Sequence, residues 1–257
     1  IFYQFFYTNT SPRWHLEQAF RMLAHNGEIN TLAGNRNWSL ARTPKLKTTL
    51  LPDLQEVTPL VNNTGSDSSS LDNMLEFMVA GGMDLHKAVR MLVPPAWDNN
   101  QEFGIEERAY FEYMAMHMEP WDGPAGIVIT DGRYAVCTLD RNGLRPSRWV
   151  LTNDDIITVA SEIGVYGYDP KNVTAKGRLG PGDMLSIDTT SGSIMNAAQI
   201  DKELASANPY QAWLNGRTIK IMSSLDDESI EVEGALSKER IRNFMKMFLV
   251  SSEEKEQ

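Results

Sequence analysis

Cysteine is almost absent from this chain: Cys137 is the one example among 257 residues. A single thiol cannot close an internal disulfide, and the four histidines, His15, His25, His86 and His117, lack zinc-ligand spacing. Disulfide scaffolds and zinc folds are thereby excluded, and a reducing compartment is the natural setting. Positive charge is also scarce. The 24 Lys+Arg stand against 34 Asp+Glu, for a formal net charge of −10. Nucleic-acid affinity comes largely from Lys and Arg displacing counterions, so DNA and RNA are not expected partners. Long apolar runs are missing too. Phe244–Val250, interrupted by Lys246, is far shorter than the ~20 residues of a membrane span, and no basic stretch followed by an apolar one marks a signal peptide. No membrane partner is expected.

What is present is an ordinary globular composition, 42% hydrophobic, long enough for one or two domains. The chain opens on Ile1-Phe2-Tyr3-Gln4-Phe5-Phe6-Tyr7-Thr8, a β-branched and aromatic run with strand propensity. It closes near Ser251-Ser252-Glu253-Glu254, a capping box that signals a helix start. Together these lead us to expect a segment of a longer polypeptide. Helices are predicted over Glu28–Arg42, Ser66–Ala80, Asp84–Leu92 and Glu106–Met118; in the second, Leu71, Met74, Leu75, Met78 and Val79 recur at helical spacing. From Pro124 onward the texture becomes strand-like. Gly126–Thr130 and Tyr134–Leu139 flank the hairpin signal Asp131-Gly132, and further strands are expected at Arg148–Leu151, Ile156–Ala160 and Met184–Asp188. The expected architecture is α+β, an antiparallel meander covered by helices. Asp226-Asp227-Glu228 and Glu231 mark an acidic linker before a last helical stretch.

Three stretches could carry chemistry. Cys137, mid-strand between Val136 and Thr138, reads as a small core residue rather than a nucleophile. Asn26-Gly27, which the sequence places at the mouth of a helix, offers a side-chain NH₂ and an approachable backbone N–H, the equipment of an oxyanion hole; most Asn-Gly steps are plain turns. In Asn62–Ser70, Ser66 or Asp67 can serve as a helix cap, or Asp67 can face a pocket and pair with a ligand ammonium. Asp140-Arg141-Asn142-Gly143-Leu144-Arg145-Pro146 is either a tight charged turn or a buried ion network that fixes a loop.

Taken in order, Thr8-Asn9-Thr10, Pro12-Arg13-Trp14, Ala24-His25-Asn26-Gly27-Glu28-Ile29-Asn30-Thr31, Gly34-Asn35, Asn37-Trp38, Ser66-Asp67-Ser68 and Asp140–Pro146 resemble the glutaminase domain of the glutamate synthase large-subunit family, a class II glutamine amidotransferase. The resemblance implies an N-terminal-nucleophile (Ntn) hydrolase fold, a layered αββα domain present here in part. Residues 1–215 would be the C-terminal portion of the amidotransferase domain, and 216–257 a linker and the start of a central domain. In that family a cysteine thiolate attacks the glutamine side-chain amide, and the thioester is hydrolysed to glutamate. The resemblance assigns Asn26 and Gly27 to the oxyanion hole, Asp67 to the substrate α-ammonium and Thr8 to its α-carboxylate. Released ammonia is channelled to 2-oxoglutarate, which is reduced to a second glutamate. FMN and an iron–sulfur cluster are implied for the full-length family protein and none for this segment; the implied partners are glutamine, the remaining domains, and a small reductase subunit or ferredoxin. The implied location is cytoplasmic, or plastid in a photosynthetic eukaryote.

Two departures stand out. The family nucleophile is not found on this chain, so the segment by itself is expected to be inactive. Phe5 stands where the family pattern has an Arg that grips the substrate carboxylate, and losing such a charged partner costs about 1.5–3 kcal/mol. These departures motivate a competing reading, a catalytically silent glutaminase-like domain with a glutamine-binding or scaffold role.

Overall fold

Burial in Ala125–Thr130 (β2) alternates strictly: Ala125, Ile127 and Ile129 are buried, while Gly126, Val128 and Thr130 are half-buried on the other face. The Asp131-Gly132 turn carries the chain into Tyr134–Leu139 (β3), as the sequence predicts, with the Asp131 carboxylate accepting from the N–H groups of Arg133 and Tyr134. In this computed structural model, which describes residues 1, 17–98, 100–162, 164–219 and 237–248, both strands lie inside a five-stranded antiparallel sheet. Leu23–Gly27 (β1) pairs with β2, β3 pairs with Met184–Asp188 (β7), and β7 pairs with Ile194–Asn196 (β8), so that β1 and β8 are the edges.

The antiparallel meander read from the strand pattern divides here into two sheets, in keeping with the antiparallel sheets of the expected layered fold. Arg148–Thr152 (β4), Ile157–Ala160 (β5) and Val173–Arg178 (β6) leave the first sheet and form a second, ordered β5-β4-β6. The physical reason lies in the two faces of β3: Val136 packs against the helices, whereas Cys137 and Leu139 belong to a second apolar cluster with Leu179, Leu185 and Trp149. A strand buried on both sides needs a second layer over it, and β4–β6 supply that layer.

All the helices of the unit Ile1–Gly216 cover the other side. Leu32–Arg42 (α1), Asp67–Ala80 (α2), Leu85–Leu92 (α3), Ile105–Ala115 (α4), Ala197–Ser206 (α5) and Tyr210–Arg217 (α6) contribute to one core around Leu23, Ile127 and Ile129. From α2 alone Leu71, Met74, Leu75 and Met78 are buried, a gross contribution of roughly 6–12 kcal/mol before chain entropy. Ser66 caps α2 through Ser69 N, Asp84 caps α3 through Lys87 N, and Asn196 with Gln199 forms a capping box on α5. The fold is therefore α+β, with antiparallel sheets covered by helices, as expected.

The helix predicted from Glu28 begins only at Leu32. Glu28 N donates to Pro124 O at 2.9 Å and Asn30 N to Asp122 O at 2.8 Å, so these residues prolong the β1–β2 pairing instead. A buried Arg90–Asp201 pair, bonded through Nε and Nη2 at 2.7 and 2.8 Å, ties α5 to α3. The second unit, Arg217–Gln257, contains Lys238–Met247 (α7), capped by Ser237. The strand expected over residues 2–8, the acidic stretch from Asp226 to Glu231 and the capping box at Ser251 lie outside the described residues.

Candidate functional site

Asn26-Gly27 stands at the end of a strand, not at the mouth of a helix. In β1, Asn26 faces Gly126 and Gly27 faces Ala125. The bonds Thr130 N to Met22 O and Glu28 N to Pro124 O make the even-numbered residues of β1 the hydrogen-bonded partners of β2. The odd-numbered N–H groups consequently point outward from the sheet edge. Three of those groups are taken: Leu23 N by Asp72 Oδ1 at 3.0 Å, His25 N by Gln18 Oε1 at 2.5 Å, and Ile29 N by Asp67 Oδ2 at 2.9 Å. Gly27 N–H, in the middle of this row, has no partner among the described residues.

Gly27 is also the residue the backbone requires here. Its φ is +155°, and a Cβ would lie 1.7 Å from Pro124 O and 2.8 Å from His25 Nε2. The side chain of its neighbour Asn26, half-buried on the inter-sheet face, likewise makes no hydrogen bond among the described residues. An amide NH₂ and a backbone N–H thus stand side by side at the end of a strand without a partner among the described residues. Such a pair can stabilise a developing oxyanion.

Asp67 is brought to the same strand end. It opens α2, but Ser66 is the cap, which leaves the Asp67 carboxylate to accept from Ile29 N and from its neighbour Ser68 N at 2.8 Å. A carboxylate has about four lone-pair positions, so capacity for a cation remains, and its side chain is 20% exposed. Of the four residues assigned from the sequence, Asn26, Gly27 and Asp67 therefore converge, and Thr8 lies outside the described residues.

His25 is the member of this site that the sequence did not single out. Strand alternation turns it toward the helices, where Nδ1 lies 2.8 Å from Ser68 Oγ and 3.8 Å from Asp67 Oδ2. Burial pulls its pKa below the usual value, and the Arg145 charge adds to this, while Asp67 and the Pro124 carbonyl oppose it. The imidazole is accordingly neutral at physiological pH. A protonated His25 would compete for the Asp67 carboxylate; a neutral one leaves it to another cation. The available signal was the period-two pattern through Leu23–Gly27, which places His25 and Asn26 on opposite faces.

Other sequence candidates resolve into structure. Asp140, 2% exposed, accepts from Ala125 N at 3.0 Å, Asn142 N at 2.9 Å and Leu144 N at 3.3 Å, so the Asp140–Pro146 turn is held by backbone donors and not by an ion network. Arg141 pairs with Asp122. Cys137 lies between the sheets, 3.3 Å from Ser147 Oγ, and burial pushes its thiol up to about 11; it is not an activated nucleophile. One lone buried thiol does not fit an iron–sulfur cluster, and among the described residues no group of three or more His, Cys, Asp and Glu could hold a metal ion.

Ser186, His86 and Asp84 imitate a triad, with Ser186 Oγ 2.7 Å from Nε2 and Asp84 Oδ1 3.7 Å from Nδ1. Ser186 is fully buried in β7, so the set clamps α3 to the sheet rather than meeting a substrate. A cavity of about 720 Å³ between α3 and α4, lined by Trp97, Phe111 and Trp121, includes none of the site residues. The donors without a partner among the described residues lie instead at the edge of β1. Among the described residues no helix is long and apolar enough to cross a membrane.

A family model described as glutamine amidotransferases class-II matches residues 1–213. The chain is 43% identical over 228 residues to "Glutamate synthase [NADH]" of Schizosaccharomyces pombe, covering 88% of this chain and 11% of that protein. It is 44% identical over 229 residues to "Glutamate synthase [NADPH] large chain" of Bacillus subtilis, covering 89% and 15%. Against "Ferredoxin-dependent glutamate synthase 2, chloroplastic" of Arabidopsis thaliana it is 40% identical over 246 residues, covering 93% and 15%. The chain thus spans 11% to 15% of the length of these three relatives.

Proposed function

The chain belongs to the class II glutamine amidotransferases, and on that footing we propose that it is the amidotransferase portion of a glutamate synthase, in which glutamine is hydrolysed to glutamate and ammonia. The ammonia would be passed to 2-oxoglutarate for reductive synthesis of a second glutamate elsewhere in the same polypeptide. What carries the reading is the pair of free donors at the end of β1, the Asn26 amide and Gly27 N–H. Attack on the glutamine side-chain amide places negative charge on its oxygen twice, in forming the thioester and in hydrolysing it. Two fixed donors aimed at that oxygen lower both barriers without reorganising.

Asp67 would receive the substrate α-ammonium, and Thr8 would hold the α-carboxylate. Neutral His25 keeps the Asp67 charge uncompensated, which favours binding of the zwitterion. Cys137 is buried and its thiol is held protonated, so on this reading the attacking thiolate would come from elsewhere in the polypeptide and residues 1–257 alone would be inactive. FMN and an iron–sulfur cluster would belong to the full-length protein; the single Cys137 cannot by itself hold a cluster. The relatives' names include NADH, NADPH and ferredoxin, so the electron donor is decided by other regions, and a small reductase subunit or ferredoxin is the corresponding partner. The location would be cytoplasmic, or plastid, the latter in line with the chloroplastic relative. Residues 216–257 would lead into a following central domain, a division supported by the boundary after Gly216.

The test is glutamate and ammonia release from glutamine by the full-length polypeptide. Asn26→Ala should lower kcat by about 10²–10³-fold with KM little changed, and Asp67→Ala should chiefly raise KM. Wild-type turnover in the Asn26→Ala enzyme would overturn the assignment.

A further inference from the structure

Arg145 is a charged residue close enough to the site for its charge to help lower the His25 pKa. Its Nε is buried without a hydrogen-bond partner, and its guanidinium has no ion pair among the described residues. Its backbone is pinned on both sides. Leu144 N is held by Asp140 Oδ1 at 3.3 Å, Pro146 follows, and the Ser147 carbonyl accepts from Leu179 N at 3.0 Å. Among the described residues its buried Nε thus lacks a partner, and an unpaired buried donor is costly unless something uses it.

That place is defined by Gly126. A Cβ added to Gly126 would lie 3.3 Å from the Arg145 Cβ and 3.6 Å from Leu139 Cδ2, which puts the arginine on the inter-sheet face of β2. Asn26 is the direct cross-strand neighbour of Gly126 and projects from the same face. Facing Cβ positions on paired strands are about 4.5–5.5 Å apart, so the two Cβ atoms of Arg145 and Asn26 lie within about 9 Å, inside the reach of an arginine side chain. The missing side chain at Gly126 is what opens this route.

An asparagine amide can present either its carbonyl or its NH₂ to a pocket, and only the NH₂ stabilises an oxyanion. A guanidinium carries five N–H donors and no acceptor, so it attracts the carbonyl end alone. We propose that Arg145 is a positioning residue for glutamine hydrolysis: from its seat over Gly126 it draws the Asn26 Oδ1 toward itself and so turns the Asn26 NH₂ toward the reacting carbonyl. The proposal rests on the amidotransferase reading above and adds to it the group that sets the orientation of the oxyanion-hole amide. Arg145 does not touch the substrate; it acts through Asn26.

The test is steady-state glutamine hydrolysis by the full-length polypeptide carrying Arg145→Met, Arg145→Lys, Gly126→Val and Asn26→Ala, with Arg145→Met also combined with Asn26→Ala, and thermal melting of each. Arg145→Met should lower kcat by about 10–100-fold at nearly unchanged KM, less than outright loss of the donor. Arg145→Lys, which keeps donors and charge, should recover most of that loss. Gly126→Val, which fills the seat, should reproduce it even if the Met variant fails to fold. In the Asn26→Ala background Arg145→Met should have no further effect. An unchanged kcat in Arg145→Met, a rise in KM alone, or a loss that multiplies with that of Asn26→Ala would each overturn the proposal. An inactive wild-type polypeptide would instead overturn the amidotransferase reading, and this proposal with it.

Discussion

Replacing Gly27 by Ala tests the site's framework most severely. The added Cβ would stand 1.7 Å from Pro124 O and 2.7 Å from Pro124 C, both backbone atoms that no rotamer change can remove. Relief requires the ends of β1 and β2 to part by more than an ångström. That motion breaks Glu28 N to Pro124 O and Asn30 N to Asp122 O, worth about 0.5–1.5 kcal/mol each. Holding alanine at φ +155° adds about 1–3 kcal/mol of backbone strain. The sum is a destabilisation of about 2–6 kcal/mol, which urea denaturation followed by circular dichroism resolves as a shift in midpoint at constant slope. Gly34, early in α1 with nothing within 4 Å of a Cβ, is the internal control. Gly34→Ala should stabilise the protein by about 0.5–1 kcal/mol through helix propensity. If Gly27→Ala cost less than Gly34→Ala gained, the close approach of Pro124 would not be what selects glycine.

Three further outcomes are expected. Asp201→Ala should destabilise by about 3–5 kcal/mol because it strands the buried Arg90 charge, whereas Arg90→Met with Asp201→Leu should be close to neutral, as equilibrium unfolding of the single and double variants would show. Native Cys137 should resist alkylation by iodoacetamide at pH 8, since it is buried and its thiol is pushed up to about 11; labelling as fast as in urea would contradict its place between the sheets. Because burial lowers the pKa of His25, the unfolded chain binds more protons than the folded one once pH falls below the unfolded value of about 6.5, so stability falls from there toward the folded pKa. The lowered carboxyl pKa values of Asp84 and Asp188 act at more acidic pH and the raised ones of Asp72 and Asp201 oppose the His25 slope, so the difference between wild type and His25→Gln isolates it: the variant should lose less stability as pH falls below about 6.5.

Much of the local structure was legible because it is encoded by near neighbours. The spacing of Leu71, Met74, Leu75 and Met78 with Ser66 ahead of them specifies α2, Asp84 specifies the start of α3, and Asp131-Gly132 joins β2 to β3 as its turn chemistry demands. The motif runs Ala24–Thr31 and Ser66–Ser68 likewise pointed to Asn26 and Gly27 and to Asp67. The strand β1 itself was not legible: Leu-Ala-His-Asn-Gly has weak strand propensity, and it is made a strand by pairing with β2 and by side chains of Gln18 and Asp72 that satisfy its outer edge. Which strands join which sheet was hidden for a similar reason, since each strand from β4 to β6 carries the same alternation whichever sheet it joins.

The sequence alone thus determined α2 and α3 with their caps, the β2–β3 hairpin and the family resemblance. Those features depend on composition or on residues a few positions apart. Tertiary structure decided that Gly27 N–H faces outward, that His25 is neutral beneath Asp67, that Cys137 is sealed between sheets, and that Arg145 lies over Gly126 beside Asn26. Each of these depends on register and burial between segments distant in the chain, where one residue of slip would turn every side chain to the opposite face.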